Sequence, residues 1–391
     1  MKIRKENFFI IKKIITVIVM ILVVFLSNSS YANDEKTITE QQEEFKIQDF
    51  IKNSEKFTGE FFDDIDINEI LNSAIKGEVD NSTLLKKILN ILGKEVATNI
   101  KALVSILAII LIHSILKAIT EGLENNNISK LIYYVQYILI VTVIMSNFTE
   151  IIKLVQDTTG NLVGFMNMLV PLLITLMMYT GSITTSSVVE PIILFMINFI
   201  GNIIQSLIIP FVLILTSLVI ISKISDKVQI NKLSNFFKSS IVWFLGIILT
   251  IFVGVVSLEG TLSSSVDGIT AKTTKAVVSS AIPVVGKILG DAVDTVLGCG
   301  IVLKNAVGLV GIIIVIGICI MPILKLFVLA ASYKLLSTVV QPIADEKIIS
   351  LLEQIGDIFK IFLGILCAIS FMLIIGTTLV LKISNGAMMY R

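Results

Sequence analysis

The sequence predicts an all-α fold: a polytopic helical membrane bundle with a cleavable signal peptide and an acidic extracytoplasmic helical N-terminal region. Three observations predict it. Apolar residues make up 55% of the 391 and charged residues only 16%, against roughly 25% charged in soluble domains. Apolar runs of about 20 residues, enough to cross a bilayer, recur from Ala102 to Leu381. A basic head, an apolar run and a small-residue cleavage site stand at the N-terminus.

In chain order, Lys2, Arg4, Lys5, Lys12 and Lys13 precede the apolar run Ile14–Leu26, and Ser30-Tyr31-Ala32 offers small residues where a signal peptidase reads. Residues 1–32 are therefore expected to be a signal peptide, with the chain after Ala32 outside the cytoplasm. Residues 33–100 are polar and acidic. Ile67, Ile70, Leu71, Ala74 and Ile75 follow Asp66 at helical spacing, and Gly77 supplies a stop. Leu84, Leu85, Ile88, Leu89 and Leu92 form a second apolar face that ends at Gly93. Such one-faced helices are expected to pack on each other, on the membrane surface or on a partner.

Residues 101–256 and 305–391 hold the membrane runs. Ala102–Ile119, Leu131–Phe148, Asn161–Thr180, Ile241–Val256 and Ile361–Leu381 each suit one pass. Val188–Ser222 is too long for one and contains Gly201-Asn202 and Pro210, which predicts a tight hairpin or a kinked, partly re-entrant pair. Asn305–Val340 repeats the pattern with Pro322 and Lys325 near its middle, predicting a cytoplasmic-side turn there. The total is seven to nine spans. The basic loop from Lys223 through Lys227 and Lys232 to Lys238 is expected in the cytoplasm. That places residues 257–304 on the other side with the N-terminal region, and Lys382 and Arg391 on the cytoplasmic side.

The chemistry visible is sparse. Lysine and arginine total 31 against 30 acidic residues, so no basic field points to nucleic acid. Cys299, Cys319 and Cys367 stand alone, which argues against a disulfide framework or a zinc site. One histidine cannot build a triad or zinc cluster. Gly286-Lys287 is followed by Ile288 and is no P-loop. No enzyme, cofactor, metal site or small-molecule substrate is indicated. Three ionisable residues in or beside apolar runs are candidate intramembrane polar sites. His113 pairs by spacing with Lys117 near a span end, Lys117 reaching the headgroups. Glu190 before Pro191 reads as a helix-start carboxylate at the interface. Lys325 reads as part of the turn after Pro322.

Residues 257–304 stand between long apolar runs and carry charges of both signs with no excess of either. Asp267, Lys275, Lys287, Asp291 and Asp294 are candidate partner-docking residues. Asp291 and Asp294 lie three apart on a helix that starts near Pro283. A solvated cap over the bundle and a docking face for another protein both fit. The strings Val266-Asp267-Gly268, Thr273-Thr274-Lys275, Ile282-Pro283-Val284, Asp291–Leu297, Leu303–Gly308 and Asn385–Arg391 carry a resemblance. The chain resembles the stage III sporulation protein AE family, from about Lys101 onward and most closely after Ser257. The resemblance implies a non-enzymatic integral membrane component of the channel complex, a secretion-like feeding tube, that links mother cell and forespore in endospore formation. It implies residence in the mother-cell membrane around the forespore, with residues 33–100 and 257–304 facing the intermembrane space. The implied partners are other stage III sporulation membrane proteins and membrane lipid. Two other classes remain open. One is a stand-alone secondary transporter, suggested by the Pro- and Gly-interrupted runs but disfavoured by the absence of clustered charges in the spans. The other is a passive assembly scaffold.

Overall fold

The computed structural model describes residues 35–62, 66–76, 81–121, 126–224, 231–281 and 285–386, and no strand occurs among them. The signal-peptide reading, the stop at Gly77 and the terminal residues 387–391 lie outside the described residues. Three short helices come first: α1 (Glu35–Glu44), α2 (Ile47–Thr58), which ends in a 3-10 turn (Gly59–Phe62), and α3 (Ile67–Lys76). Asp66 starts α3 by accepting the Asn68 N–H on Oδ1 at 2.8 Å, the usual service of an N-cap carboxylate.

Six long rods follow. They are α4 (Asn81–Glu121), α5 (Asn126–Tyr179), α6 with α7 (Ile183–Ile203 and Ile209–Ile224), α8 (Asn231–Ala281), α9 (Val285–Val339) and α10 (Glu346–Gly386). All six contain stretches long and apolar enough to cross a membrane. Successive rods run antiparallel, and their contacts fix the order. Tyr137 on α5 donates its hydroxyl to Ile220 O at 2.5 Å and Tyr133 donates to Lys223 O at 2.8 Å, which caps a last-turn carbonyl of α7. Lys238 on α8 meets Asp357 on α10, while Phe252 lies against Gly376. Tyr333 on α9 stacks on Phe359, while Gly308 faces Leu381. One end therefore carries the connections after α4, α7 and α9, the one after α7 being the lysine-rich loop; it is the basic end. The distal end carries the connections after α5 and α8 and the end of α10. At the distal end Gly181, at φ 90°, turns α5 into α6. Ser182 N–H bonds Met177 O and Gly181 N–H bonds Met178 O, the pattern that closes a helix on a left-handed glycine.

Among the described residues, the seven-to-nine-span expectation gives way to six rods. Leu131–Phe148 and Asn161–Thr180 are halves of α5, which continues past Glu150, Lys153 and Asp157 because all three project outward. The hairpin at Val188–Ser222 is absent. Gly201 serves close packing instead: a Cβ there would lie 2.6 Å from Val163 on α5. The register shift demanded by Pro210, which has no N–H to give, is absorbed by a π turn at Ile204–Ile208. Nor does the chain turn at Pro322 and Lys325. Pro322 is buried inside α9, and packing on both sides outweighs one lost backbone bond. Gly93 does not end its helix; it sits in open space within α4, where a glycine costs only about 1 kcal/mol relative to alanine. With both hairpins removed, the basic loop and residues 257–304 still fall at opposite ends. The end of α10, however, now lies opposite the basic loop, so Lys382 does not share its side. Residues 257–304 are the distal ends of α8 and α9 rather than a separate unit.

The N-terminal helices dock on the rods. Phe45 meets Tyr179 edge-on at 5.0 Å, and Gln41 Nε2 donates to Val296 O at 3.1 Å, both at the distal end. Phe50 and Phe57 flank Phe165 at 6.1 and 6.4 Å. Phe62 reaches Gly317. From the level of Val296 to that of Gly317 is about 30 Å of helix. Ile47, Phe50, Ile51, Phe61, Phe62, Ile67 and Leu71 are buried in the same core as the rods, each contributing roughly 1.5–3 kcal/mol.

Candidate functional site

Four described charged groups, from α8, α9 and α10, converge at one place. Asp357 of α10 accepts from Lys238 Nζ of α8 on one oxygen and from Lys334 Nζ of α9 on the other, each at 2.7 Å. Lys360, one turn on, lies 3.9 Å away, and Glu353 lies one turn back on an exposed position. The cluster is half-buried; side-chain exposure runs from 26% for Asp357 to 44% for Lys238. Three lysines around one aspartate and one glutamate leave a net charge of +1. Along α8 this lysine lies between Phe236 and Trp243, both broadly exposed apolar side chains. Charges at such a level are costly and default to functional interpretation. The carboxylate bridges three rods, and the surplus ammonium groups can receive an anion or a partner's carboxylate.

Sequence reading missed this site and argued that the spans lacked clustered charge. Lys238 was read as part of a loop, and its partner stands 119 positions away. The available signal was Glu353, Asp357 and Lys360 at helical spacing inside an otherwise apolar segment.

His113 is also inside, 3% exposed, with Nε2 3.0 Å from Asp345 Oδ2 in the turn between α9 and α10. Its ring is thus packed inside the bundle against the turn that ends α9. The Lys117 side chain lies outside the described residues. Because Ile106 and Ile110 are the only buried companions of His113 among the described side chains of α4, His113→Ala is expected to loosen α4 first. The loss is on the order of 1–2 kcal/mol, read as a lower midpoint in detergent denaturation, with His113→Gln keeping part of it. Glu190 is half-buried within α6, one residue before Pro191, not at the helix start. Lys325 is half-buried along α9. The structure does not bring these three residues together.

Asp267 and Lys275 fall on α8, and Lys287, Asp291 and Asp294 on α9; their side chains lie outside the described residues. Lys304, counted in the sequence only as one charge of a polar stretch, is wholly buried. Gly164, Gly308, Gly311 and Gly317 meet Phe57, Leu381, Leu169 and Phe62, whereas Gly364 faces open space.

Six antiparallel apolar rods with a charged cross-brace define a polytopic helical membrane protein. The family model of stage III sporulation protein AE matches residues 65–384, and the chain belongs to that family. Stage III sporulation protein AE of Bacillus subtilis (strain 168) is 29% identical over 307 residues, 78% of this chain and 77% of that protein. No solved structure matches. Membership gives the chain a role in sporulation. The match begins after α1, α2 and the 3-10 turn, so those elements lie outside it.

Proposed function

We propose that the chain is a non-enzymatic component of the channel complex that links mother cell and forespore. It would sit in the mother-cell membrane around the forespore and act with other stage III sporulation membrane proteins. The basic end faces the cytoplasm and the distal end the intermembrane space. The observation that carries this reading is the segregation of the two ends. The lysine-rich connection after α7, flanked by Lys223, Lys232 and Lys238, lies at one, as expected of a cytoplasmic face. The N-terminal helices and the charged ends of α8 and α9, with Asp267, Lys275, Lys287, Asp291 and Asp294, gather at the other, where they can meet partner proteins. The Asp357 cluster gives the transporter reading more support than the sequence did, but it braces rods and opens on no described substrate site.

The test uses single cysteines in a chain whose three native cysteines are alanine. Ser264→Cys is expected to react with a membrane-impermeant thiol reagent applied from the non-cytoplasmic side, and Lys232→Cys to be protected. The reverse pattern would sink the orientation. Asp291→Lys with Asp294→Lys should then reduce co-purification of the other stage III membrane proteins and block spore formation at normal protein level. Transport by the purified protein alone in liposomes would favour the transporter instead.

A further inference from the structure

The rods are too long for the membrane they cross. At about 1.5 Å per residue, α5 and α9 each run about 80 Å, against a hydrocarbon layer of about 30 Å. Only part of each rod can lie in lipid, and exposure indicates which part. Among the described residues, every large apolar side chain that is broadly exposed lies in the basic-end half, except Met178, Ile183, Val188, Phe195, Phe199 and Val296. In that half α5 exposes Leu131, Tyr134, Val135, Ile138, Leu139 and Met145. Beyond Glu150 the same helix turns a different face outward: Lys153, Gln156, Asp157, Asn161, Asn167 and Thr175 are exposed, while its apolar residues other than Met178 are buried or half-buried. The change falls at a comparable level on neighbouring rods. α4 exposes Lys94 and Glu95 just before its apolar face begins, and Asn202, Gln205 and Ser206 are exposed just before Leu213 and Ile214. From Val96 to Ile119 on α4 the belt is about 35 Å of helix, enough for one bilayer with modest tilt.

We infer that a single bilayer encircles only the basic-end half, and that the distal half stands clear of it as a water-exposed helical domain. The exposed amides fit this division. Asn167 and Asn198 bond each other reciprocally at 3.1 and 2.9 Å on the distal surface, a position that would be expensive against hydrocarbon. The apolar distal stretches of α5, α9 and α10 need no lipid, because they bury against one another and against α2 and the 3-10 turn. Within the belt, Lys238 is neutralised by Asp357 and Lys325 is half-buried. Phe195 and Phe199, stacked at 5.6 Å on α6, are then a surface pair in water rather than a lipid contact.

The test exploits the chain's one tryptophan, Trp243, which sits in the belt and is 65% exposed. In vesicles of brominated phosphatidylcholine, Trp243 of the full chain should lose most of its emission. In Trp243→Phe with Phe195→Trp, a site of matching exposure at 64%, emission should survive in the same vesicles and be quenched by aqueous iodide. Quenching of the Phe195→Trp variant by bromolipid as strong as that of Trp243 would overturn the inference, as would a Trp243 that bromolipid leaves bright. Phe199→Trp repeats the measurement one turn away, so that a misfolded variant does not decide it.

Discussion

Gly317→Leu is expected to expel the N-terminal helices from the bundle. The ring of Phe62 occupies the space where a Cβ at position 317 would stand, and both backbones are held by packed helices. A leucine must displace the 3-10 turn, and with it the seats of Phe57 and Phe50 against Phe165. Overpacking of this kind costs roughly 1–3 kcal/mol when the core yields and more when it does not. Phe62→Ala alone removes a side chain that is 6% exposed and should cost about 3–5 kcal/mol. The two changes are in contact and should not add. Gly317→Leu combined with Phe62→Ala should be more stable than the sum predicts, because the leucine fills part of the vacated space. The measurement is protease sensitivity of residues 35–62 in detergent, together with the denaturation midpoint. Gly317→Leu with a protected N-terminal region would show that α1 and α2 do not depend on this seat. The family match begins at residue 65, so spore counts in the same variants would also show whether the extra helices serve the common role.

How much of this was legible in the sequence depended on the range of the interaction. The start of α3 at Asp66 was visible because an N-cap acts within two residues. The membrane class was visible because composition sums over the whole chain. Span count was not, since glycine and proline carry opposite meanings in a packed rod and in a turn. Gly201 and Pro210 look like a reversal until Val163 is seen against the glycine and the π turn against the proline. Residues 257–304 and the helix ends flanking the basic loop nevertheless lie at opposite ends of the rods, as that span count also requires. Reading α5 as two passes and Val188–Ser222 as two passes changed the number by an even amount and preserved parity. The end of α10 had no such protection, because the turn assumed at Lys325 added one crossing and reversed it. The docking of Phe50, Phe57 and Phe62 was hidden for another reason. Their partners lie more than a hundred residues away, and an amphipathic helix does not say which surface covers it.

Replacing the whole charged brace is expected to separate stability from function. In Asp357→Leu alone, Lys238, Lys334 and Lys360 lose their shared carboxylate at a level where α8 faces lipid. Removing one partner of a fully buried pair costs roughly 3–5 kcal/mol, and this one is half-buried, so about 2 kcal/mol is expected. The protein level should fall. Changing Lys238, Lys334 and Lys360 to Met together with Asp357→Leu removes every charge at once. Apolar groups of similar volume commonly replace a buried ionic network at no loss, or with a gain of about 1–4 kcal/mol, so the fourfold variant should accumulate in the membrane at least as well as the native chain. If the cluster were only a brace, that variant would also sporulate normally. If its surplus positive charge receives an anion or a partner's carboxylate, the spore count should collapse while the protein stays abundant and folded. Lys238→Arg should keep the charge and retain most of the count, although the fork of a guanidinium does not fit a site built for a single ammonium nitrogen. Equal spore yields from the native chain and the fourfold variant would reduce the Asp357 cluster to packing.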